Sequence, residues 1–170
     1  MIRVKKLKTS DFLQYKKIRL EMLERYPMYF GSSVFEETLF SDTTWMNRLN
    51  KVSAKTIGLF DDQKIVGIVV LMFNQRSKMK HFATIYSMYI KDEYQGKGYS
   101  KMLLEHAFLE AIENDVEKLR LSVVHSNEGA ISLYNKIGFK PYAVEKGTIK
   151  YKDKYYDLLL MEKEMGVKNE

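Results

Sequence analysis

A short segment with two glycines, residues 94–101 (YQGKGYSK), constrains the fold of this chain most strongly. It lies between a strand-like run, 83–90, and a helix-like run, 100–114. Glycines at a strand-to-helix turn let the backbone approach a ligand closely. The helix that follows directs its unpaired N–H groups and the positive end of its dipole to the same place. Because such a place can bind phosphate, the segment indicates a phosphate-bearing ligand.

The spacing of these glycines differs from that of the two common nucleotide-binding loops. No earlier glycine completes a Walker A loop, and Lys101 occupies the position of the third glycine in the dinucleotide-binding motif. A tight turn without a ligand would also explain the two glycines. Both interpretations therefore stay open for the loop considered alone.

A second informative segment covers residues 127–139 (NEGAISLYNKIGF). On a helix, Asn127 and Tyr134 would share one face about 10 Å apart, with Ile131 between them. A long, thin ligand along that face could contact an amide at one end and a phenol at the other. Alternatively, Asn127 only caps the helix and Tyr134 is an ordinary half-buried aromatic residue. A separate stripe is predicted to face the core, formed by Ala130, Leu133 and Ile137.

The hydrophobic pattern predicts elements in the order β-α-α-β-β-β-α-β-α-β-β, which favours a mixed sheet covered by helices. We predict one domain over 1–170, a length sufficient for a full core. Segment 26–40 is irregular, rich in aromatic residues and acidic in its middle. No apolar run approaches the roughly 20 residues of a membrane span, so we expect no membrane association.

Composition excludes several classes of site. The chain has no cysteine, which excludes disulfides, thiolate zinc sites and a cysteine nucleophile and is compatible with a cytoplasmic location. Its 3 histidines and scattered carboxylates lack metal-ligand spacing, so we expect no metal. A net charge of +6 could indicate nucleic-acid binding. The only basic and aromatic cluster, 146–156, is better interpreted as a solvated hairpin, and we expect no nucleic-acid partner.

Together, the two segments resemble the GNAT superfamily of N-acetyltransferases. That family has Gln/Arg-x-x-Gly-x-Gly/Ala after a strand, matched here by Gln95, Gly98 and Ser100. Ser100 departs from the usual glycine or alanine. The resemblance is strong over 55–165 and weaker over 1–50. The family's second motif, Asn-x-x-Ala-x-x-Leu-Tyr-x-x-x-Gly-Phe, is matched by Asn127, Ala130, Leu133, Tyr134, Gly138 and Phe139.

The resemblance implies an α/β acyl-CoA N-acyltransferase fold, in which helices flank a central, splayed mixed sheet. It implies an acetyl-CoA-binding core over 55–165 and a variable acceptor side over 1–50. The implied reaction is direct attack of a primary amine, from a small molecule or peptide, on the thioester of acetyl-CoA. Homodimers are frequent in the family and are an expectation here. Because strand 83–90 has no carboxylate, a non-catalytic acyl-CoA-binding module is the alternative.

Roles for individual residues also follow from the resemblance. Tyr134 would stabilise the leaving thiolate, and a backbone N–H near Met88 would stabilise the oxyanion. No residue is assigned as general base; Glu36, Glu37 and His125 are the candidates, and the acidic pair would suit a cationic amine. The implied acetyl-CoA contacts are Met88, Tyr89 and Ile90 for the pantetheine arm, Gln95, Gly96, Lys97, Gly98, Tyr99, Ser100 and Lys101 for the pyrophosphate, and Asn127 for the opposite side of the arm.

Overall fold

A computed structural model describes residues 1–166 of the chain as one seven-stranded mixed sheet with helices packed on it. The sheet order is β1-β2-β3-β4-β5-β7-β6, and only the β4–β5 pair is parallel. The predicted mixed sheet is confirmed, and the order of elements matches the prediction apart from one additional short helix, α2 (Val34–Thr38). The strands are β1 (Ile2–Lys6), β2 (Ala54–Asp61), β3 (Lys64–Phe73), β4 (Phe82–Ile90), β5 (Lys118–Val124), β6 (Lys140–Tyr151) and β7 (Lys154–Glu164). The α-helices are α1 (Phe12–Arg25), α2 (Val34–Thr38), α3 (Asp42–Leu49), α4 (Tyr99–Glu113) and α5 (Glu128–Lys136).

The core has two parts because β3 buries residues on both faces of the sheet. Val69 and Leu71 belong to a cluster that includes the buried face of α4. Ile68, whose side chain points to the other face, belongs to a cluster formed with α1 and α3. Trp45 of α3 is fully buried in this second cluster. The helices of the first fifty residues therefore cover one face of the strands that build the site.

Strands β4 and β5 separate soon after they meet. Their parallel pairing covers only Phe82↔Lys118, Ala83↔Leu119 and Thr84↔Arg120. Beyond these pairs, β4 continues to Ile90 and β5 to Val124 without pairing to each other. The sheet is thus splayed at its centre, as expected, and the two strands enclose a gap.

A β-bulge interrupts β4 beside this gap. Ile68 pairs with Tyr89, and Val70 pairs with Tyr86, so Ser87 and Met88 together lie opposite a single residue of β3. Ser87 has a φ of 55°, in the left-handed region that non-glycine residues rarely adopt. A bulge leaves its extra residue out of the ladder and turns nearby groups to a new direction. The bulge therefore alters strand geometry where β4 faces β5.

The structure differs from the sequence interpretation in segment 26–40. We predicted no regular element there, but α2 forms over Val34–Thr38. Ser33 and Glu36 form a reciprocal capping box at its start, a four-residue signal for a short helix. Within residues 1–166, no helix is both long enough and apolar enough to span a bilayer.

Candidate functional site

A cavity of about 550 Å³, which we call the loop cleft, lies between the end of β4, the glycine loop and α5. A cavity of this size is typical of small-molecule and cofactor sites. The predicted site residues that line it are Met88, Tyr89, Ile90, Gln95, Gly96, Gly98, Ser100, Lys101, Asn127 and Tyr134. Residues that are far apart in the sequence, and that the sequence interpretation had linked, thus line one cavity.

The glycine loop has a backbone conformation that favours glycine. Gly96 and Gly98 have φ values of 72° and 80°, and a Cβ at either position would meet no atom within 4 Å. Glycine is therefore needed for the backbone conformation and not for packing within the protein. The backbone bond from Met102 N–H to the Gly98 carbonyl begins the hydrogen-bond ladder of α4. The N–H groups of 99–101 precede that ladder and face no intrahelical acceptor.

The loop is tied to the end of β4 by a side chain. Gln95 Nε2 donates to the Ile90 carbonyl at 2.9 Å and to Asp92 Oδ1 at 3.2 Å. These bonds fix where the first turn of α4 begins relative to the strand. An anion at that turn would meet the free N–H groups and the positive end of the helix dipole.

Two predicted loop residues have other contacts. Lys97 is absent from the lining of the loop cleft; its Nζ donates to the Glu93 carbonyl at 2.8 Å. The Tyr99 ring packs beside Tyr94, at 6.4 Å between centroids, and is also absent from the lining. Lys101 does line the cleft, and its exposed ammonium lies 3.6 Å from Glu105.

Asn127 caps α5 and still has donors to offer. Its Oδ1 accepts from Ala130 N–H at 3.3 Å, as the capping interpretation of the sequence predicted. Its amide NH₂ has no partner within residues 1–166, and Asn127 lines the loop cleft. The cap and a ligand contact are compatible, because they use different atoms of one side chain. The cap also fixes the orientation of the amide.

The face of α5 that lines the loop cleft differs from the predicted one. We expected Ile131 beside Asn127 and Tyr134, with Ala130 and Leu133 turned to the core. Ala130, Leu133 and Ile137 do pack against the core cluster, as predicted, but Ala130 and Leu133 also line the cleft, whereas Ile131 packs against the cluster and does not line the cleft. Counted from Asn127 as position i, the residues at i, i+3 and i+7 (Asn127, Ala130 and Tyr134) line the cleft, whereas the residue at i+4, Ile131, does not.

Tyr134 is the buried phenol of the site. It is 7% exposed, and its ring packs against Phe139 with centroids 5.8 Å apart. Burial raises the pKa of Tyr134 above its usual value. Its hydroxyl has no hydrogen-bond partner in the part of the chain that the structure describes. A protonated, unpartnered phenol that lines a cavity can donate a hydrogen bond to a ligand atom.

The gap between β4 and β5 holds a second cavity of about 460 Å³, which we call the wedge. It is lined by 85–88 of β4 and 121–124 of β5, so the splay of the sheet creates it. The loop cleft and the wedge share several lining residues and therefore meet. The shared residues are Tyr29, Phe30, Met88, Asn127, Ala130 and Tyr134.

Glu37, a candidate base and acceptor contact, lies in a buried ion-pair network. It is 1% exposed and accepts two bonds from Arg19, at 2.8 and 3.0 Å, and two from Arg48, at 3.1 and 3.4 Å. Burial alone would raise the pKa of Glu37, but hydrogen bonds and charge from Arg19, with the charge of Arg48, outweigh it, and the pKa lies below its usual value. Arg19 Nη1 also donates to Ser87 Oγ at the bulge.

The other two candidates lie outside the cavities. Glu36 completes the capping box of α2, where its carboxylate accepts from Ser33 N–H at 3.1 Å. His125 is exposed after β5 and lines neither cavity. The predicted acidic contact with the acceptor therefore has no counterpart in the lining of the site. Among residues 1–166, no three His, Asp or Glu side chains are grouped as metal ligands would be.

Sequence reasoning missed the contribution of the first helical segment. Arg19 of α1 lines the wedge, and Tyr29 and Phe30 line both cavities. The cluster of aromatic residues in 26–40 was the available signal for the latter pair. Nothing in the pattern around Arg19 distinguishes it from other charged residues of an amphipathic helix.

A family model described as "Acetyltransferase (GNAT) family" matches residues 17–139. The [ribosomal protein bS18]-alanine N-acetyltransferase of Escherichia coli K12 is 32% identical over 79 residues, 46% of this chain and 53% of that protein. The chain thus spans about half the length of the first curated relatives it matches. An N-alpha-acetyltransferase of Saccharolobus solfataricus is 28% identical over 148 residues, 81% of this chain and 80% of that protein.

Solved structures support the same architecture. A GNAT acetyltransferase from Streptococcus pneumoniae superposes with a TM-score of 0.86 at 22% identity, covering 96% of this chain and 99% of that one. The yncA structure from Salmonella typhimurium, solved with its cofactor acetyl-CoA, has a TM-score of 0.82 at 12% identity, covering 100% of this chain and 97% of that one. At these identities, the similarity establishes the fold.

Proposed function

The chain belongs to the GNAT family of acetyltransferases, and we propose that it transfers the acetyl group of acetyl-CoA to a primary amine of a small molecule or peptide. The observation that carries this proposal is the junction of the loop cleft and the wedge at Met88, Asn127 and Tyr134. A thioester entering from one side and an amine entering from the other would meet there.

The loop cleft suits acetyl-CoA in shape and in donors. The N–H groups at the start of α4 would hold the pyrophosphate, with Gly96 and Gly98 allowing close approach. The free amide NH₂ of Asn127 would donate to the pantetheine arm. The end of β4 is free to pair with that arm, because β5 has already diverged. Lys101 would add charge attraction, whereas Lys97 and Tyr99 belong to the loop's own structure.

The proposed reaction has three parts. The amine nitrogen attacks the carbonyl carbon of the thioester, the C–S bond breaks, and the amine proton leaves to solvent. Because the bulge removes part of β4 from its ladder, we propose a backbone N–H at Met88 as donor to the oxyanion. Tyr134 would hydrogen-bond the forming thiolate. An ordinary phenol, with pKa about 10, is a weaker acid than a thiol at about 8.5, so complete proton transfer from it is uphill by roughly 2 kcal/mol, and burial of Tyr134 makes the transfer less favourable still.

The proposal is tested by adding acetyl-CoA and a panel of primary amines and measuring the release of free thiol. We expect thiol release that depends on the amine, and calorimetry should show CoA binding that Gly98→Ala weakens. CoA binding without turnover of any amine would instead indicate the non-catalytic acyl-CoA-binding module. That alternative is favoured only by the lack of a carboxylate on β4, and the free hydroxyl of Tyr134 argues against it.

The remaining expectations belong to the same proposal. We propose one domain over 1–170, of which the structure describes 1–166, with the acceptor side in 1–50 and the acetyl-CoA core in 55–165. Arg19, Tyr29 and Phe30 support this division, because they line the wedge. A cytoplasmic location and a homodimer stay predictions, which fractionation and light scattering would test.

A further inference from the structure

The charge of the wedge limits which amines can enter it. Arg19 is the only charged residue that lines the wedge in the described chain, and no Asp or Glu lines it. A cationic acceptor would meet a guanidinium there and no carboxylate. This opposes the cationic acceptor that the acidic pair in 26–40 had suggested.

A third, smaller cavity continues from the wedge and is more strongly basic. It has a volume of about 270 Å³, and we call it the basic cavity. Its charged lining residues are Arg19, Arg48 and Lys51, again without an acid. It adjoins the wedge, because both are lined by Arg19, Tyr86 and Ser87. The acceptor side therefore ends in a group of three cations.

These cations retain capacity to bind an anion. A guanidinium has five N–H donors, and Arg19 uses three of them, two on Glu37 and one on Ser87. The Lys51 ammonium has no hydrogen-bond or ion-pair partner in residues 1–166. Glu37 is a single carboxylate between two arginines, so the group keeps a positive charge. Its side chain is buried behind the arginines and lines none of the three cavities.

From this arrangement, which rests on the proposed acetyl transfer, we propose that the acceptor is a small amine carrying an anionic group. The amine lies in the wedge near Met88 and Tyr134, and the carboxylate or phosphonate points to Arg19 and the basic cavity. Arg19 can offer its two remaining N–H donors to such a group, while Lys51 contributes charge. The apolar and hydroxyl residues of the wedge surround the rest of the molecule.

The test compares acceptors that differ only in charge. L-Leucine and L-leucinamide represent the carboxylate arm, and 2-aminoethylphosphonate and ethanolamine the phosphonate arm. Because a hydrogen bond to a charged group is stronger than a neutral one, we expect the anionic member of one pair to have a kcat/KM about 10- to 100-fold higher. The amine of leucinamide is less basic than that of leucine, so a larger fraction of it is in the neutral form that attacks the thioester. This difference favours the neutral acceptor and therefore works against the proposal. Equal rates, or faster acetylation of the neutral members, would overturn it.

Variants separate anion binding from folding. Lys51→Gln should raise KM for the anionic acceptor several-fold and leave the neutral one unchanged, since Lys51 has no structural partner. Arg19→Lys keeps a charge beside Glu37 but loses the paired donors, so it should reduce the preference for the anion. Lys136→Gln, at an exposed lysine outside all three cavities, is the matched control. Equal effects of Lys51→Gln on both acceptors would contradict the proposal.

A binding measurement distinguishes this proposal from the proposed activity. Calorimetry of leucine, leucinamide and 2-aminoethylphosphonate into CoA-loaded protein reports the anion subsite without turnover. If an anionic probe binds and Lys51→Gln weakens it, but nothing is acetylated, the activity fails and the subsite stands. If amines are acetylated without any preference for the anion, the activity stands and the subsite fails.

Discussion

Removing the Tyr134 hydroxyl should slow the reaction without unfolding the protein. The hydroxyl has no partner within residues 1–166, so Tyr134→Phe breaks no hydrogen bond and keeps the packing on Phe139. In the transition state, however, the phenol would donate to a forming thiolate. A hydrogen bond to a charged group contributes about 1.5–3 kcal/mol. We therefore expect kcat to fall roughly 10- to 150-fold, with CoA affinity nearly unchanged.

The pH profile tests the reason for this effect. Because burial raises the pKa of Tyr134, the phenol should stay protonated, and the wild-type rate should not decline between about pH 8 and 10. Thiol release with a saturating acceptor is the assay, and Tyr155→Phe on the exposed hairpin is the control. An alkaline decline in the wild type that is lost in Tyr134→Phe would refute the argument from burial. An unchanged kcat in Tyr134→Phe would refute the assigned role.

Three further predictions follow from single contacts. Gly98→Ala should destabilise by about 1–2 kcal/mol through its left-handed φ alone and weaken CoA binding; unchanged affinity in calorimetry would contradict the loop assignment. Asn127→Ala should lose the helix cap, which stabilises the protein by about 1 kcal/mol. Asn127→Asp should keep the cap but lose the amide donors, so only this variant is expected to bind CoA more weakly while its melting temperature stays unchanged. Glu37→Gln should destabilise by about 3 kcal/mol in urea at pH 7. The pKa of Glu37 is lower in the folded protein than in the unfolded chain, where it is near 4.5. The stability that ionised Glu37 contributes is therefore fully present above that unfolded pKa and is lost as the pH falls through the folded pKa. A difference in unfolding free energy between Glu37→Gln and wild type that persists at low pH would contradict this.

Local patterns were sufficient for the elements that frame the loop cleft. Strand β5, Lys118–Val124, can be predicted from the sequence because its alternation of apolar and polar residues is regular. The glycine loop was predictable because positive φ values at a strand-to-helix turn select glycine. In both cases the residue's own conformational preference agrees with the fold.

The bulge at Ser87 could not be predicted, because no local residue signals it. The sequence there, Tyr86-Ser87-Met88, contains no glycine that would indicate a positive φ. The structure pairs Ser87 Oγ with Arg19, which is 68 residues away. A backbone conformation supported by so distant a partner depends on tertiary structure and leaves no trace in the pattern of nearby residues.

Glu37 shows the same limit for charge. In the sequence, two adjacent acids in an irregular segment suggested a surface for a cation. In the structure, arginines 18 and 11 residues away enclose one of those acids and bury it. The acceptor side consequently presents basic groups instead of acidic ones. The sign of a site's charge depends on which partners are buried, and a count of charged residues does not give it.

The basic lining and the unassigned general base have a common consequence. No carboxylate lines the loop cleft, the wedge or the basic cavity within residues 1–166, so none is in position to take the amine's proton directly. Neighbouring cations disfavour the charged form of an amine and lower its pKa. Arg19, Arg48 and Lys51 outnumber Glu37 by two charges, so one net positive charge remains in this group when an acceptor with a single negative charge is bound. The neutral amine that attack requires is then favoured by electrostatics, and water is a sufficient proton acceptor. The same cations that would bind the acceptor's anionic group thus also help to prepare its amine.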